Sequence, residues 1–182
     1  SQSGETADTL SCVQKARAAG CQIVALCNRE HAEIPRLATK TIALACGPEV
    51  SVASTKAFSA MLLCFYLFSL SCARNRGVYK REEWLQKLDE MRRIPVAVET
   101  VLAGEPSIAQ TSETLARATS MFFLGRRLSF PIVLEGALKV KELSYIQAEG
   151  YAGGELKHGP LALVTADTPI VAVAPRDRLF DK

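Results

Sequence analysis

Two short apolar runs, "QIVALCN" at 22–28 and "KTIALAC" at 40–46, constrain this chain more than any other feature in it. Neither alternates polar with apolar residues, as a strand wetted on one face would. An uninterrupted run of strand length suits a strand covered on both faces, and a helical piece around 30–38 separates the two. Strands of this kind, alternating with helices, predict a doubly wound parallel sheet and hence an α/β fold. A helix over 6–19, stopped by Gly20 as its C′ residue, precedes the first run. The pattern then returns: a helix over about 107–118, the strand "MFFLG" at 121–125, a helix over about 131–149 and the strand "PIVAVAP" at 169–175.

Between the two α/β patterns lie a long apolar helix, about 55–73, and a segment 81–103 with Trp84, Leu88, Met91, Val98 and Leu102 close to helical spacing. Pro95 is expected to break that segment and start a second helix. The predicted organisation is therefore a first unit over 1–80, a helical connector over 81–111 and a second unit over 112–182. Each unit is expected to be a three-layer α/β/α sandwich. Both units look interrupted, the first lacking a strand that leads into "SQSGET" and the second stopping after "PIVAVAP". The chain is accordingly read as a piece of a longer protein.

Charge excludes some partners. The 22 basic and 19 acidic residues leave a net charge of +3, with no Lys/Arg block, so neither nucleic acid nor a membrane surface is expected. The basic pair in "GRR" at 125–127 follows a strand and is too short to suggest nucleic acid. The apolar stretch 57–72 is 16 residues long, short of the roughly 20 a spanning helix needs, and is read as a core or interface helix. Six cysteines, at 12, 21, 27, 46, 64 and 72, form no C-x-x-C pair, and His31 and His158 supply no zinc spacing. Reduced thiols among apolar neighbours fit the cytoplasm. No metal or cofactor is expected, and there is no G-x-G-x-x-G fingerprint.

Three places carry polar chemistry. In "SQSGET", hydroxyls surround Gly4 just before a helix, whose first N–H groups lack internal partners. By itself the stretch reads first as an ordinary cap by Ser3 or Thr6, with an anion site as the alternative. Glu135, Lys139 and Glu142 fall at i, i+4 and i+7 on one helical face, either a solvated salt-bridge ladder or a reactive set. His158, between glycines and before Pro160, is a turn residue or a general acid–base.

The motifs "SQSGET", "VASTKAF", "LEGALKVKE" and "EGYAGGELKHGPLAL", in this order and across nearly the whole chain, resemble the isomerase half of the glutamine–fructose-6-phosphate aminotransferases. That half is built of two sugar-isomerase (SIS) domains. The resemblance implies that Ser1, Gln2, Ser3 and Thr6 hold a sugar phosphate. It further implies that Val52 contacts the sugar through its backbone, with Ser54 a weaker candidate. Glu142 matches the base that moves a proton between C1 and C2, and His158 the residue that helps open the ring, acting across a homodimer interface. Glu135 and Lys139 match residues that organise the site. The implied reaction turns fructose 6-phosphate and glutamine-derived ammonia into glucosamine 6-phosphate without a cofactor. The family's glutaminase domain and its C-terminal Schiff-base lysine have no counterpart in these 182 residues, and "GYAGGEL" has two glycines where alanines are common. Two other readings share parts of the site: an SIS deaminase or deglycase on another amino-sugar phosphate, and a non-catalytic SIS sensor that needs only the phosphate loop.

Overall fold

A computed structural model describes residues 1–178 and 180. The chain divides into two compact units, Ser1–Ile94 and Pro95–Lys182. The division falls inside the run of helices expected to connect them.

The first unit opens with α1 (Ala7–Ala18), which ends at a left-handed Gly20, φ 74°. Strand β1 (Val24–Cys27), the short helix α2 (Glu33–Leu37) and strand β2 (Lys40–Ala43) follow. β1 and β2 pair in parallel, Val24 opposite Lys40 and Cys27 opposite Ala43, as the apolar runs predict. Coverage is less complete than expected. Ala25 and Cys27 of β1 are buried, whereas β2 has only Ile42 partly covered. A 12-residue loop then leads to α3 (Lys56–Asn75) and α4 (Arg81–Arg92).

Of the two readings expected for α3, core or interface helix, the core reading does not hold within this unit. Only Ala57 and Leu70 are buried, and Leu62, Phe65, Tyr66, Leu67 and Phe68 are exposed. At 20 residues and a mean hydropathy of 1.6 it is also long and apolar enough to cross a membrane, by length and composition. Both its ends are nevertheless tied into the unit. Lys56 Nζ donates to the Pro48 carbonyl at 2.6 Å, and the Arg74 guanidinium lies 4.3 Å from the centre of the Trp84 ring on α4. Ser59 and Ser69 return their hydroxyls to the carbonyls four residues back, which keeps them satisfied on an apolar helix.

The second unit begins with α5 (Ile94–Ala103) and α6 (Glu105–Leu115). Pro95 stands in the first turn of α5, where its missing N–H costs nothing, and so starts a helix as predicted. Neither helix has a buried residue. Val98 and Leu102 are exposed, while Trp84, Leu88 and Met91 on α4 are half-buried.

Strand β3 (Ser120–Gly125) forms the centre of a three-stranded parallel sheet of order β4-β3-β5. α7 (Ser129–Ser144) packs on it, and Met121, Phe123, Val133, Ala137 and Ala148 form the core. Here the structure corrects the sequence reading. The helix expected to run to 149 stops at Tyr145, which is left-handed at φ 61°, and Gln147–Ala152 is strand β4, paired with β3 from Ser120–Gln147 to Gly125–Ala152. A 3₁₀ turn at Pro160–Leu163 precedes β5 (Ile170–Val173).

Candidate functional site

In the first unit the "SQSGET" loop is held by its own hydroxyls and by the sheet. The Ser1 hydroxyl accepts from the Gly4 N–H at 3.1 Å and stands 3.2 Å from the Thr6 hydroxyl. The Ser3 hydroxyl accepts from the Glu5 N–H at 3.2 Å. Gly4 is buried at φ 72°, and a Cβ there would lie 2.5 Å from Ala32 Cβ and 2.8 Å from Cys27 Sγ. Its carbonyl accepts from the Ile34 N–H at 3.0 Å, and Glu5 Oε1 accepts from the Glu33 N–H at 2.9 Å, so α2 braces the loop.

Thr6 occupies the N-cap position of α1, yet its side chain makes no capping bond. The first helical bond runs from the Leu10 N–H to the Thr6 carbonyl. The amides of the first turn are therefore left without a partner among the described residues. That is the arrangement an anion would complete.

Beyond the ends of β1 and β2 lies an open cavity of about 630 Å³, lined by Gln2, Asn28, Arg29, Gly47, Pro48 and Glu49 among others. Of the six expected sugar-binding residues only Gln2 lines it. Asn28 fixes the facing loop, donating from Nδ2 to the Gly47 carbonyl at 2.7 Å and accepting from the Cys46 N–H at 3.2 Å. The place of Asn28 at the end of "ALCN", a polar stop on an apolar strand, was the available signal for it. Arg29 has no such signal.

Ser54 donates its hydroxyl to Glu49 Oε2 at 3.2 Å. Partial burial pushes the Glu49 carboxyl up, but hydrogen bonds from Thr55, Ser54 and Ala57, with Lys56 nearby, outweigh it and hold the group below the usual range. Ser54 thus serves this loop directly. The Val52 side chain is almost fully exposed, at 94%.

In the second unit, α7 brings Glu135, Lys139 and Glu142 together. Lys139 Nζ is 3.3 Å from Glu135 Oε1 and 2.7 Å from Glu142 Oε2, and all three side chains are half-buried. The Glu142 carboxylate beside it raises the Lys139 ammonium above its ordinary range, with Glu135 adding and desolvation opposing. One cation therefore positions two carboxylates, and Glu142 is the outer one.

His158 lies in the turn after β4. Its N–H donates to the Glu155 carbonyl at 3.0 Å, and Gly159 beside it takes φ 137°. The imidazole is exposed, and no hydrogen bond or ion pair joins it to Glu135, Lys139 or Glu142. Sequence reasoning passed over Glu149 and Tyr151, successive outward positions on β4. The Tyr151 hydroxyl donates to the Glu149 carboxylate, which together with burial pushes the phenol up, and the ring meets Phe122 edge-on at 5.4 Å. Among the described residues no cluster of His, Cys, Asp or Glu could hold a metal.

The SIS domain family model matches residues 1–71 and 114–182. The glutamine–fructose-6-phosphate aminotransferase of Leifsonia xyli is 46% identical over 182 residues, and that of Xylella fastidiosa 45% over 183. In both cases all of this chain is covered, and it spans about 30% of the length of the relative. Among solved structures, the C-terminal domain of the glucosamine-fructose-6-phosphate aminotransferase from Francisella tularensis superposes with a TM-score of 0.96 at 41% identity, covering 100% of this chain and 51% of that one. A glucosamine-6-phosphate deaminase from Thermotoga maritima, 21% identical with a TM-score of 0.68, covers 98% of this chain and 52% of its own and shares the fold.

Proposed function

This chain belongs to the SIS domain family, and from that premise we propose that it supplies substrate-binding and acid–base groups to an isomerising aminotransferase that makes glucosamine 6-phosphate from fructose 6-phosphate. The observation that carries this reading is identity of 45–46% with such aminotransferases along the entire chain. Ammonia would come from a glutaminase domain, and a lysine outside these 182 residues would form the Schiff base. A cytoplasmic homodimer suits the reduced thiols and an exposed His158 that meets none of the α7 carboxylates.

In this reading Ser1, Gln2, Ser3 and Thr6 take the phosphate against the uncapped start of α1, and the backbone at Val52 meets the sugar. His158 passes a proton to the ring oxygen as the ring opens. Water leaves C2 as the lysine Schiff base forms, and ammonia then displaces the lysine amine, giving an imine. Glu142 then takes a proton from C1 and returns it at C2, which converts the ketose imine into the 2-amino aldose. A base that is re-protonated in the same cycle must stay close to both carbons, and the Lys139 contact fixes the carboxylate for that purpose. Glu135 holds Lys139 from the other side.

The test is Glu142→Gln in an enzyme that includes this chain and its glutaminase. Fructose 6-phosphate binding is expected to survive, while isomerisation falls about 10²–10⁴-fold, the usual scale for a positioned base. Solvent-deuterium exchange at C1 and C2 reads the step directly. Near-normal turnover in Glu142→Gln, with turnover lost in Glu135→Gln, would move the base to Glu135.

A further inference from the structure

A cavity that this function leaves unused lies in the second unit. It measures about 170 Å³, and its polar lining comes from Arg126, Ser129 and Asp177. The walls are apolar, with Leu124, Ala172 and Phe180 among them. It opens where β3 and β5 end. From β3 the chain crosses through α7 to β4 on one side of the sheet, and later returns to β5 on the other. The carboxyl end of β3 is therefore the switch point of this sheet, the place where open parallel sheets bind ligands.

Three observations go beyond topology. Ser129, the first residue of α7, is 8% exposed, and its hydroxyl has no hydrogen-bond partner among the described residues. A hydroxyl at the cavity wall with no partner in the fold is available to a ligand. Arg126 holds no ion pair among the described residues. Its stem lies along Gly153, where a Cβ would come within 3.3 Å of Arg126 Cγ. Finally, among the described residues the loops after β3 and β5 carry Arg126, Arg127, Arg176 and Arg178 with Asp177, and the Arg176 guanidinium stands 6.0 Å from the centre of the Phe180 ring. At Gly125 a Cβ would sit 2.4 Å from the Ser129 carbonyl oxygen, so glycine lets α7 begin directly on the strand end and brings Ser129 to the cavity.

We propose that this cavity is a second small-molecule site, which takes a small phosphate monoester. Its oxyanion lies against Arg126 and the Ser129 hydroxyl, and its short carbon body lies on the Ala172 and Phe180 wall. The surplus of guanidinium groups suits a dianion, and charge-assisted hydrogen bonds to it are the strong ones. The volume admits a few-carbon body and is too small for a nucleotide. The site shares no residue with the "SQSGET" loop or with the charged face of α7, so it does not rest on the function proposed above.

The experiment is calorimetric titration of the 182-residue chain with glycerol 3-phosphate and with inorganic phosphate. It is run first in a Ser3→Ala, Thr6→Val background that disables the loop of the first unit. Saturable binding of glycerol 3-phosphate is expected to persist there. Adding Arg126→Gln is expected to weaken it at least about 10-fold, the loss typical of a charged hydrogen bond. Ser129→Ala is expected to weaken it by less while leaving the melting temperature unchanged or raised, since that hydroxyl bonds nothing in the fold. Absence of binding in the Ser3→Ala, Thr6→Val background would overturn the proposal. So would equal affinities for the parent, Arg126→Gln and Ser129→Ala proteins. Binding abolished by the first-unit substitutions alone would leave the phosphate loop standing and remove this second site.

Discussion

Gly4 and Gly20 share nearly the same left-handed backbone, φ 72° and 74°, but different surroundings. Around Gly20 nothing lies within 4 Å of an added Cβ, whereas at Gly4 a Cβ would run into Ala32 and Cys27. Gly20→Ala therefore costs only the left-handed strain, about 1–2 kcal/mol. Gly4→Ala adds overpacking of a further 1–3 kcal/mol or so, since two packed side chains must move. Urea denaturation of the two variants checks the order, and a Gly4→Ala protein as stable as Gly20→Ala would mean that the loop is not braced by α2. Lys139 makes a second prediction at this scale. Its ammonium titrates above the usual 10.5 in the folded state, so its contribution to stability is complete below that value. It is lost as pH rises through the raised folded value. The stability gap between the parent and Lys139→Met, from denaturation at a series of pH values, is expected to stay flat from neutral to about pH 10 and to close above it.

Single elements show where reading residues succeeds and where it stops. β1, β2, β3 and β5 were legible because each is an apolar run with no competing period. β4 was not, because "QAEGYA" is poor in β-branched residues and continues the helical pattern of α7 without a break. Its strand state comes from outside the segment. Tyr145 turns left-handed, β3 offers an unpaired edge, and Gly150 leaves room for α7, since a Cβ there would come within 3.1 Å of Leu134 Cα. None of these is a property of local sequence. The turn at Tyr145 can be tested separately, since its side chain is 91% exposed and little packing is lost on removing it. Tyr145→Gly relieves the left-handed strain at some cost in chain entropy, and a gain of up to about 1 kcal/mol in unfolding free energy is expected. The apolar face of α3 makes the opposite case, an element rightly placed whose core reading fails and whose interface reading stands. Phe65 is 54% exposed there. Phe65→Lys is expected to lower binding of a hydrophobic dye and self-association in sedimentation, with a melting temperature unchanged within about a degree, since surface changes are usually within 0.5 kcal/mol.

At the scale of the whole molecule, the polar machinery is divided between the units. The "SQSGET" loop belongs to Ser1–Ile94, and the Glu135–Lys139–Glu142 face with His158 belongs to Pro95–Lys182. Both sets were visible in the sequence because short motifs carry them. Arg29 and Glu49 were not, because they join Asn28 around one cavity only after β1 and β2 pair and the 46–55 loop folds back. The division has a kinetic consequence under the proposed function. A phosphate far from the reacting carbons is bound about equally in the ground state and the transition state, so the loop contributes uniform binding. Ser3→Ala with Thr6→Val in a complete enzyme is therefore expected to raise KM for fructose 6-phosphate, each lost charged hydrogen bond weakening binding by about 1.5–3 kcal/mol, while kcat changes little. Glu142→Gln is expected to do the reverse, lowering kcat and leaving KM near its parent value, because the carboxylate acts only as the proton moves. Combining the two sets should add their effects in free energy, as distinct steps require. The measurement is a steady-state cycle over the parent, both single sets and the combination. If the loop substitutions lower kcat as deeply as Glu142→Gln does, the phosphate contacts are spent on the transition state, and the loop takes part in aligning C1 and C2 with the base.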